Sequence, residues 1–274
     1  MRPVRFRVLG SGSSGNATLV ECDETRIVID AGLGPRELAD RLLSAGVDPA
    51  SLSAIFLSHE HGDHAKGAAS FSRKWGVRVV ATRGTYAAAG LGATEIAGFD
   101  VLEPFVLCNV GPLGVTAVPV PHDAAEPVAF VVRGDGRRLG HATDLGHIDR
   151  ALVDAFRFCD ALLIESNYDP TLLANGPYPW SLKERIFGPR GHLSNADVGR
   201  YLATQLGDAC RQLVLAHLSE KNNHAELVRM SADSALRKRG RGEVKVDLTG
   251  RDGTGWVDLP PTSVPADGNQ LRLF

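Results

Sequence analysis

The sequence predicts one layered α/β domain, and three observations carry that reading. Short apolar strands and amphipathic helices alternate through one length of chain, with no clean break in composition. Asp135-Gly136, between two strand-like runs, is a strong hairpin signal. At 274 residues, 43% hydrophobic and 23% charged, the chain is long enough for a sizeable core and ordinary in balance for a globular protein.

The elements follow in order. Arg5–Leu9 is a strand that runs into Gly10-Ser11-Gly12-Ser13-Ser14-Gly15-Asn16, which is too rich in glycine for either regular element. Ala17–Cys22 and Thr25–Asp30 alternate as two strands about a turn at Asp23-Glu24. Pro35 suits a first helical turn, and Leu38, Leu42 and Leu43 are expected on one face of a helix ending near Gly46. Ala54–Leu57 is a short buried strand. Val77–Ala81 and Leu113–Val120 are strands, with a small helix at Thr85–Ala89 between them. Pro127–Val132 and Arg138–Thr143 flank the hairpin turn. Helices over Ile148–Phe156, from about Asn195 to Leu206 and from about His224 to Lys238 alternate with strands at Ala161–Glu165, Gln212–Ala216 and, last, Glu243–Leu248. Pro260–Asn269 is proline-rich and polar, an extended linker. The expected division is a domain over residues 1–259 and a linker with a C-terminal peptide over 260–274.

Composition excludes several classes. No apolar run reaches the roughly 18 residues of a membrane span, and the N-terminus lacks the apolar core of a signal peptide. Cys22, Cys108, Cys159 and Cys210 are scattered without a C-x-x-C pair, which argues against a disulfide scaffold or thiolate metal site and suits a reducing cytoplasm. A net charge of −2 gives no global pull toward nucleic acid, so a polyanion site must be a local patch. Two such patches are candidates. The amides and hydroxyls of Gly10–Asn16, with Ser13, Ser14 and Asn16, could cradle a phosphate; a plain turn is the competing reading. Arg237-Lys238-Arg239-Gly240-Arg241 suits nucleic-acid contact, or simply the cation-favouring end of a helix.

The chemistry concentrates in Ser58-His59-Glu60-His61-Gly62-Asp63-His64, with three imidazoles and two carboxylates in seven residues. His59 and His61, at i and i+2 beyond a strand end, can address one ion. Asp63 and His64, after the turn that Gly62 allows, can address a second. Nitrogen and carboxylate donors without thiolate fit Zn²⁺ best, and also Mn²⁺ or Fe²⁺.

This H-x-H-x-D-H segment resembles the signature of the metallo-β-lactamase superfamily, and further positions of that pattern follow in order. His122 in Val120-Pro121-His122-Asp123, Asp144 in His141-Ala142-Thr143-Asp144 and His217 in Leu215-Ala216-His217-Leu218 each lie beyond an apolar strand, and Asp30 in Ile29-Asp30-Ala31-Gly32 matches an acidic residue that orients a ligand. The resemblance covers the chain to about Gly250. It implies a four-layer αβ/βα sandwich with two divalent metal ions. His59, His61 and His122 would hold the first; Asp63, His64 and His217 the second; Asp144 would bridge them. Such ions lower the pKa of the water between them and make it the attacking hydroxide.

Three stretches narrow the branch: Leu9–Asn16, Leu163-Ile164-Glu165-Ser166-Asn167-Tyr168, and Gly191-His192-Leu193-Ser194-Asn195 with His217-Leu218-Ser219-Glu220. Together they are similar to the YycJ (VicX-like) branch, which resembles the ribonuclease Z group more than the lactamases. The implied activity is phosphodiester hydrolysis, specifically 5′-to-3′ exonuclease action on DNA. Glu165 would hold His192 protonated, and His192 would stabilise the phosphate oxygens and protonate the leaving 3′ oxygen. Ser194 also reads as a helix N-cap. The chain departs from ribonuclease Z in having Gly-His-Leu-Ser rather than Gly-His-Ser-Thr and in lacking an extended arm for tRNA. The stretch from Asp144 to His217 is too short for the inserted domain of ribonuclease J and the DNA-crosslink-repair nucleases.

Finally, Gln270-Leu271-Arg272-Leu273-Phe274 resembles the peptide by which bacterial replication and repair proteins dock on the sliding clamp, Gln270, Leu271, Leu273 and Phe274 being the contact positions. A C-terminal strand or a disordered end is the competing reading. A small-molecule phosphodiester or thioester hydrolase and a non-catalytic partner of a signalling system are the alternative functions that the same residues allow.

Overall fold

A computed structural model describes residues 3–92 and 94–260. The first half of the chain carries β1 (Arg5–Gly10), β2 (Ala17–Cys22), β3 (Thr25–Ile29), α1 (Pro35–Ser44), β4 (Ala54–Phe56), α2 (Gly62–Ala65), α3 (Ala68–Trp75), β5 (Val79–Ala81), α4 (Arg83–Ala88) and β6 (Phe99–Val101). The second half carries β7 (Leu107–Val110), β8 (Leu113–Pro119), β9 (Val128–Gly134), β10 (Arg137–Ala142), α5 (Arg150–Phe156), β11 (Ala161–Glu165), α6 (Pro170–Asn175), α7 (Trp180–Phe187), α8 (Asn195–Thr204), β12 (Gln212–Ala216), α9 (Ala225–Arg239), β13 (Lys245–Leu248) and β14 (Val257–Asp258).

Among the described residues these strands form two seven-stranded mixed sheets, ordered β14-β1-β2-β3-β4-β5-β6 and β13-β12-β11-β10-β9-β8-β7. In each, one part is antiparallel and the other parallel: β3, β4, β5 and β6 run parallel, as do β10, β11, β12 and β13. β14 returns to pair antiparallel with β1, which ties the end of the described fold to its beginning.

The sheets pack face to face over a shared apolar layer that includes Phe6, Ile27, Ile29 and Phe56 from one sheet and Val115, Phe130, Leu163 and Val214 from the other. Phe56 and Phe130 meet edge to face at 6.1 Å across it. The outer face of the first sheet is covered by α1 and α3 through Leu38, Leu42 and Phe71. The outer face of the second is covered by α5, α8 and α9 through Phe156, Val198, Leu202, Val228 and Leu236. The result is the expected αβ/βα sandwich.

Local chemistry explains the helix limits. Pro35 opens α1 in its first turn, where a missing N–H costs nothing. Ser194 and Asp197 close a capping box at the start of α8. Gly240 ends α9 in the left-handed conformation at φ 74°.

The structure corrects several expectations. Leu43 is 58% exposed and lies off the buried face of α1 that Leu38 and Leu42 share. The strand at Lys245–Leu248 is not the last, because β14 follows it. α3, β6, β7, α6 and α7 were not anticipated either; they are short, and none of the residues of β6 is fully buried. No helix among the described residues is long and apolar enough to cross a membrane. The linker after Pro260 and the peptide Gln270–Phe274 lie outside the described residues.

Candidate metal centre

The site residues leave the ends of strands from both sheets and meet along one edge of the sandwich. Asp30 follows β3, the segment His59–His64 follows β4, and His122, Asp144 and His217 follow β8, β10 and β12. Glu165 is the last residue of β11, in register with Ala216 of β12. Asp30, Asp144 and His217 adopt left-handed backbone, at φ 62°, 59° and 53°. Such a conformation is uncommon without glycine, though Asp and His tolerate it better than most, and it turns each side chain sharply off its strand. The segment from Gly62 bears so closely on the loop after β3 that a Cβ on Gly32 would fall 1.6 Å from the Asp63 carbonyl oxygen.

Two sets of four donors result. One atom each from His59, His61, His122 and Asp144 lie within 4.8 Å of one another, and so do one each from Asp63, His64, Asp144 and His217. Asp144 belongs to both sets. Its Oδ2 is 2.8 Å from His64 Nε2 and 3.3 Å from His59 Nε2, while its Oδ1 is 2.6 Å from His217 Nδ1. Asp63 Oδ2 is 3.7 Å from His64 Nε2 and 3.6 Å from His217 Nε2. Apart from those close approaches, His59 Nε2, His217 Nε2 and Asp144 Oδ1 are buried without a well-formed hydrogen bond. Buried polar atoms are costly to leave unpaired, and three of them converging in a nitrogen and carboxylate donor set is what a divalent metal pair would satisfy.

Neighbouring groups hold these donors in place. His64 Nδ1 meets Asp30 Oδ2 at 2.7 Å, and Asp30 accepts from the Ser58 amide and hydroxyl at 2.8 and 2.9 Å. The His122 Nδ1 lies 3.1 Å from the Gly191 carbonyl, and the His217 amide donates to the Ser11 hydroxyl at 2.8 Å. Burial works against a charge on His64, yet the Asp144 and Asp30 carboxylates raise its pKa to about 10. Burial also opposes ionisation of Asp63, but His217 and His64 bring its pKa down to about 2. The field of this pocket is that of a cation-binding cluster.

A third set adjoins the second. Glu165 is wholly buried; its Oε1 accepts from the Leu145 and Leu193 amides at 3.0 and 2.9 Å, and its Oε2 lies 3.1 Å from both His192 Nδ1 and His217 Nδ1. Burial disfavours the His192 charge, but Glu165 and Asp144 raise its pKa to about 9. The two carboxylates thus favour the charged form of His192 beside the donors. A cavity of about 140 Å³ opens next to it, lined in part by Ser13, Asn167, Arg185 and Leu218.

Comparison with known proteins places this geometry in a family. Residues 25–218 match the model of the Beta-lactamase superfamily domain. The chain belongs to that superfamily. Within it, the chain is 34% identical over 246 residues, 87% of its length and 91% of the relative's, to a Bacillus anthracis protein named exodeoxyribonuclease YycJ. The fold is that of the metallo-β-lactamase fold protein YhfI from Bacillus subtilis (TM-score 0.72, 16% identity, covering 93% of this chain and 100% of that one) and of the short form of human tRNase Z (TM-score 0.65, 16% identity, covering 93% and 99%). The chain is therefore an enzyme of the metallo-β-lactamase fold, a hydrolase of the YycJ branch, and its His/Asp cluster suits divalent metal.

The two candidate substrate-contact segments lie at different distances from the donor sets. Arg239 and Arg241 bond the carbonyls of Leu206, Gly207 and Cys210 ahead of β12, whereas His217 leaves the other end of that strand. The run containing Arg237 and Lys238 is therefore a strand length away, roughly 16 Å. The glycine loop is also turned inward: the Ser11, Gly12, Gly15 and Asn16 amides bond to Gly250, Asn16, Gly12 and Asp63. Asn16 is buried, with its Nδ2 3.0 Å from His64 Nε2, and so braces the site rather than facing substrate. Lys66 Nζ occupies the Ser14 carbonyl; Ser13 alone of that loop lines the cavity. Arg185, Tyr178 and Asp123, which also line it, were not foreseen: α7 gives no strong periodic signal, and nothing local marks its arginine as facing the site.

Proposed function

We propose that this protein is a metal-dependent exodeoxyribonuclease that digests DNA from 5′ to 3′ in the cytoplasm. The observation that carries the reading is the pair of donor sets sharing Asp144, with the Glu165–His192 pair directly beside them. The name of the YycJ relative supports DNA as the substrate. His59, His61 and His122 would hold one divalent ion, and Asp63, His64 and His217 the other, with Asp144 between them. When bound, the ions supply Lewis acidity toward the phosphate and lower the pKa of water. The chain's own residues do the rest. Asp30 orients His64, Glu165 fixes the ring and charge of His192, and His192 donates its proton to the departing 3′ oxygen.

Metal analysis and a nuclease assay with Zn²⁺ and with Mn²⁺ test this together. Release of mononucleotides from the 5′ end is the expected result. Two bound ions with no turnover of any DNA would overturn it, and hydrolysis confined to small phosphodiesters or thioesters would move the chain to another reaction of the same fold.

The C-terminal sequence extends the proposal. Gln270-Leu271-Arg272-Leu273-Phe274, after the polar stretch Pro260–Asn269, would dock the enzyme on the bacterial sliding clamp, with Leu271, Leu273 and Phe274 as apolar anchors and Gln270 as the hydrogen-bonding group. Tethering to a ring on DNA supplies effective concentration that a chain of net charge −2 otherwise lacks. Deleting these five residues should abolish clamp binding and leave digestion of short DNA intact. A labelled peptide of the last ten residues that shows no saturable binding on the order of tens of micromolar would remove the idea.

A further inference from the structure

His217 needs support that its own strand does not give. β11 and β12 pair in parallel as far as Glu165 and Ala216, and the Ser166 amide still reaches the Ala216 carbonyl at 2.9 Å. At His217 the chain turns into left-handed backbone, φ 53°, and the regular pairing ends. A residue keeps that conformation only where its surroundings fix it. Side chains take over from the neighbouring strand. The His217 amide donates to Ser11 Oγ at 2.8 Å, and its carbonyl accepts from Asn167 Nδ2, also at 2.8 Å.

Asn167 is held in turn. It is buried, its amide donates to the Leu193 carbonyl at 2.9 Å, and its carbonyl accepts from the Ser219 amide at 2.8 Å. Asn223, at the entry to α9, directs its Nδ2 at the Ser166 and Asn167 carbonyls, at 2.8 and 2.9 Å. Its Oδ1 accepts at 2.8 Å from the side chain of Asn195, the first residue of α8. Asn195 Oδ1 accepts from the Ser166 hydroxyl at 2.7 Å. Three carboxamides therefore tie the starts of α8 and α9 to the two residues beyond β11, and the last link ends on His217. Each supplies two donors and an acceptor in one plane, which a hydroxyl or a carboxylate cannot.

We propose that Asn167 and Asn223 are positioning residues for the second metal ion: Asn167 holds His217 in its left-handed turn, and Asn223 holds Asn167. The assignment rests on the two-ion reading of the centre. His217 Nε2 lies 3.6 Å from Asp63 Oδ2, and a metal donor must stay within about 0.5 Å of its working geometry. Without the Asn167 donor the His217 peptide relaxes toward right-handed or extended backbone, which swings the imidazole off Asp63. The first donor set, His59, His61, His122 and Asp144, includes neither His217 nor a residue of this network. The effect therefore falls on one ion.

The test is stepwise metal binding by the full chain, followed by titration calorimetry with Zn²⁺ and by the visible absorption of Co²⁺, which reports the ligands of each ion. Asn167→Ala and Asn223→Ala should each weaken the second ion by about 10- to 100-fold, the usual range for groups that orient a metal ligand, and leave the first within about threefold. Asn223→Asp keeps the shape and loses the donor, so it should behave as Asn223→Ala. The double variant should bind no more weakly than the worse single one, because the two residues act in series. Gly240→Ala is the control: it strains the left-handed residue at the opposite end of α9 and should lower Tm without changing the affinity for either ion. Thermal melting confirms the fold of each variant, and if one does not fold the others carry the same comparison. An unchanged second ion in Asn167→Ala, a loss shared equally by both ions, or an equal loss in Gly240→Ala would overturn the assignment and leave the metal centre standing. A wild-type chain that binds no second ion would overturn the two-ion reading and the assignment with it.

Discussion

Asp144 is the side chain on which the others converge. It lies within 3.4 Å of His59, His64, His192 and His217, it is buried, and it sits in left-handed backbone at a local cost of order 1–3 kcal/mol. Asp63 is the more informative residue to remove, because its side chain is 23% exposed and touches only the second donor set. Asp63→Ala should abolish hydrolysis and reduce bound metal from two ions per chain toward one, as elemental analysis would show. Full activity with two ions would remove the assignment. His192 calls for a different readout. His192→Ala should keep both ions yet lose on the order of 10²–10⁴ in rate on DNA, the usual contribution of one general acid. A nitrophenyl phosphodiester, whose leaving group needs no proton, should be largely spared. Equal losses on both substrates would show that His192 is not the leaving-group acid.

At the scale of elements, α8 links the fold to the acid. Its N-cap, Ser194, is two residues from His192, and its hydroxyl accepts from the Asp197 amide at 3.1 Å. Ser194→Ala removes one half of the capping box and should cost about 1 kcal/mol, read as a lowered denaturant midpoint with an unchanged slope. This cap was legible because Ser-x-x-Asp before an apolar run is a local pattern. So was the His59–His64 cluster, and so were His122, Asp144 and His217, each just beyond an apolar strand. The cavity wall was not. α6 and α7 follow Tyr168 as two short helices, and Trp180, Phe187 and Leu172 are exposed apolar residues that blur any inward face. The close approach of α7 to His192 also leaves no local mark beyond a glycine: a Cβ on Gly191 would fall 2.2 Å from the Ile186 carbonyl oxygen. Composition left the role of Arg237–Arg241 open, and the structure divides the run: Arg239 and Arg241 bond loop carbonyls, while Arg237 and Lys238 are exposed.

The two sheets meet at the candidate metal centre. Asp30 and His59–His64 come from the first sheet, and His122, Asp144, Glu165 and His217 from the second. Ions held by both sets would therefore staple the two halves of the sandwich, in addition to the apolar layer between the sheets. Without them, His59 Nε2, His217 Nε2 and Asp144 Oδ1 remain buried at that seam without a well-formed hydrogen bond. Anything that binds the folded state alone stabilises it by RT ln(1 + [L]/Kd), about 4 kcal/mol at a thousandfold excess over Kd. For a chain of this size that corresponds to roughly 8–16 °C in Tm. Stripping the protein with a chelator should lower Tm by that amount, and Zn²⁺ or Mn²⁺ should restore it. In His217→Ala, which removes a donor from the second set, the response to added metal should be much smaller. Equal melting of stripped and reloaded protein, with two ions confirmed in the latter, would show that the centre does not join the sheets energetically.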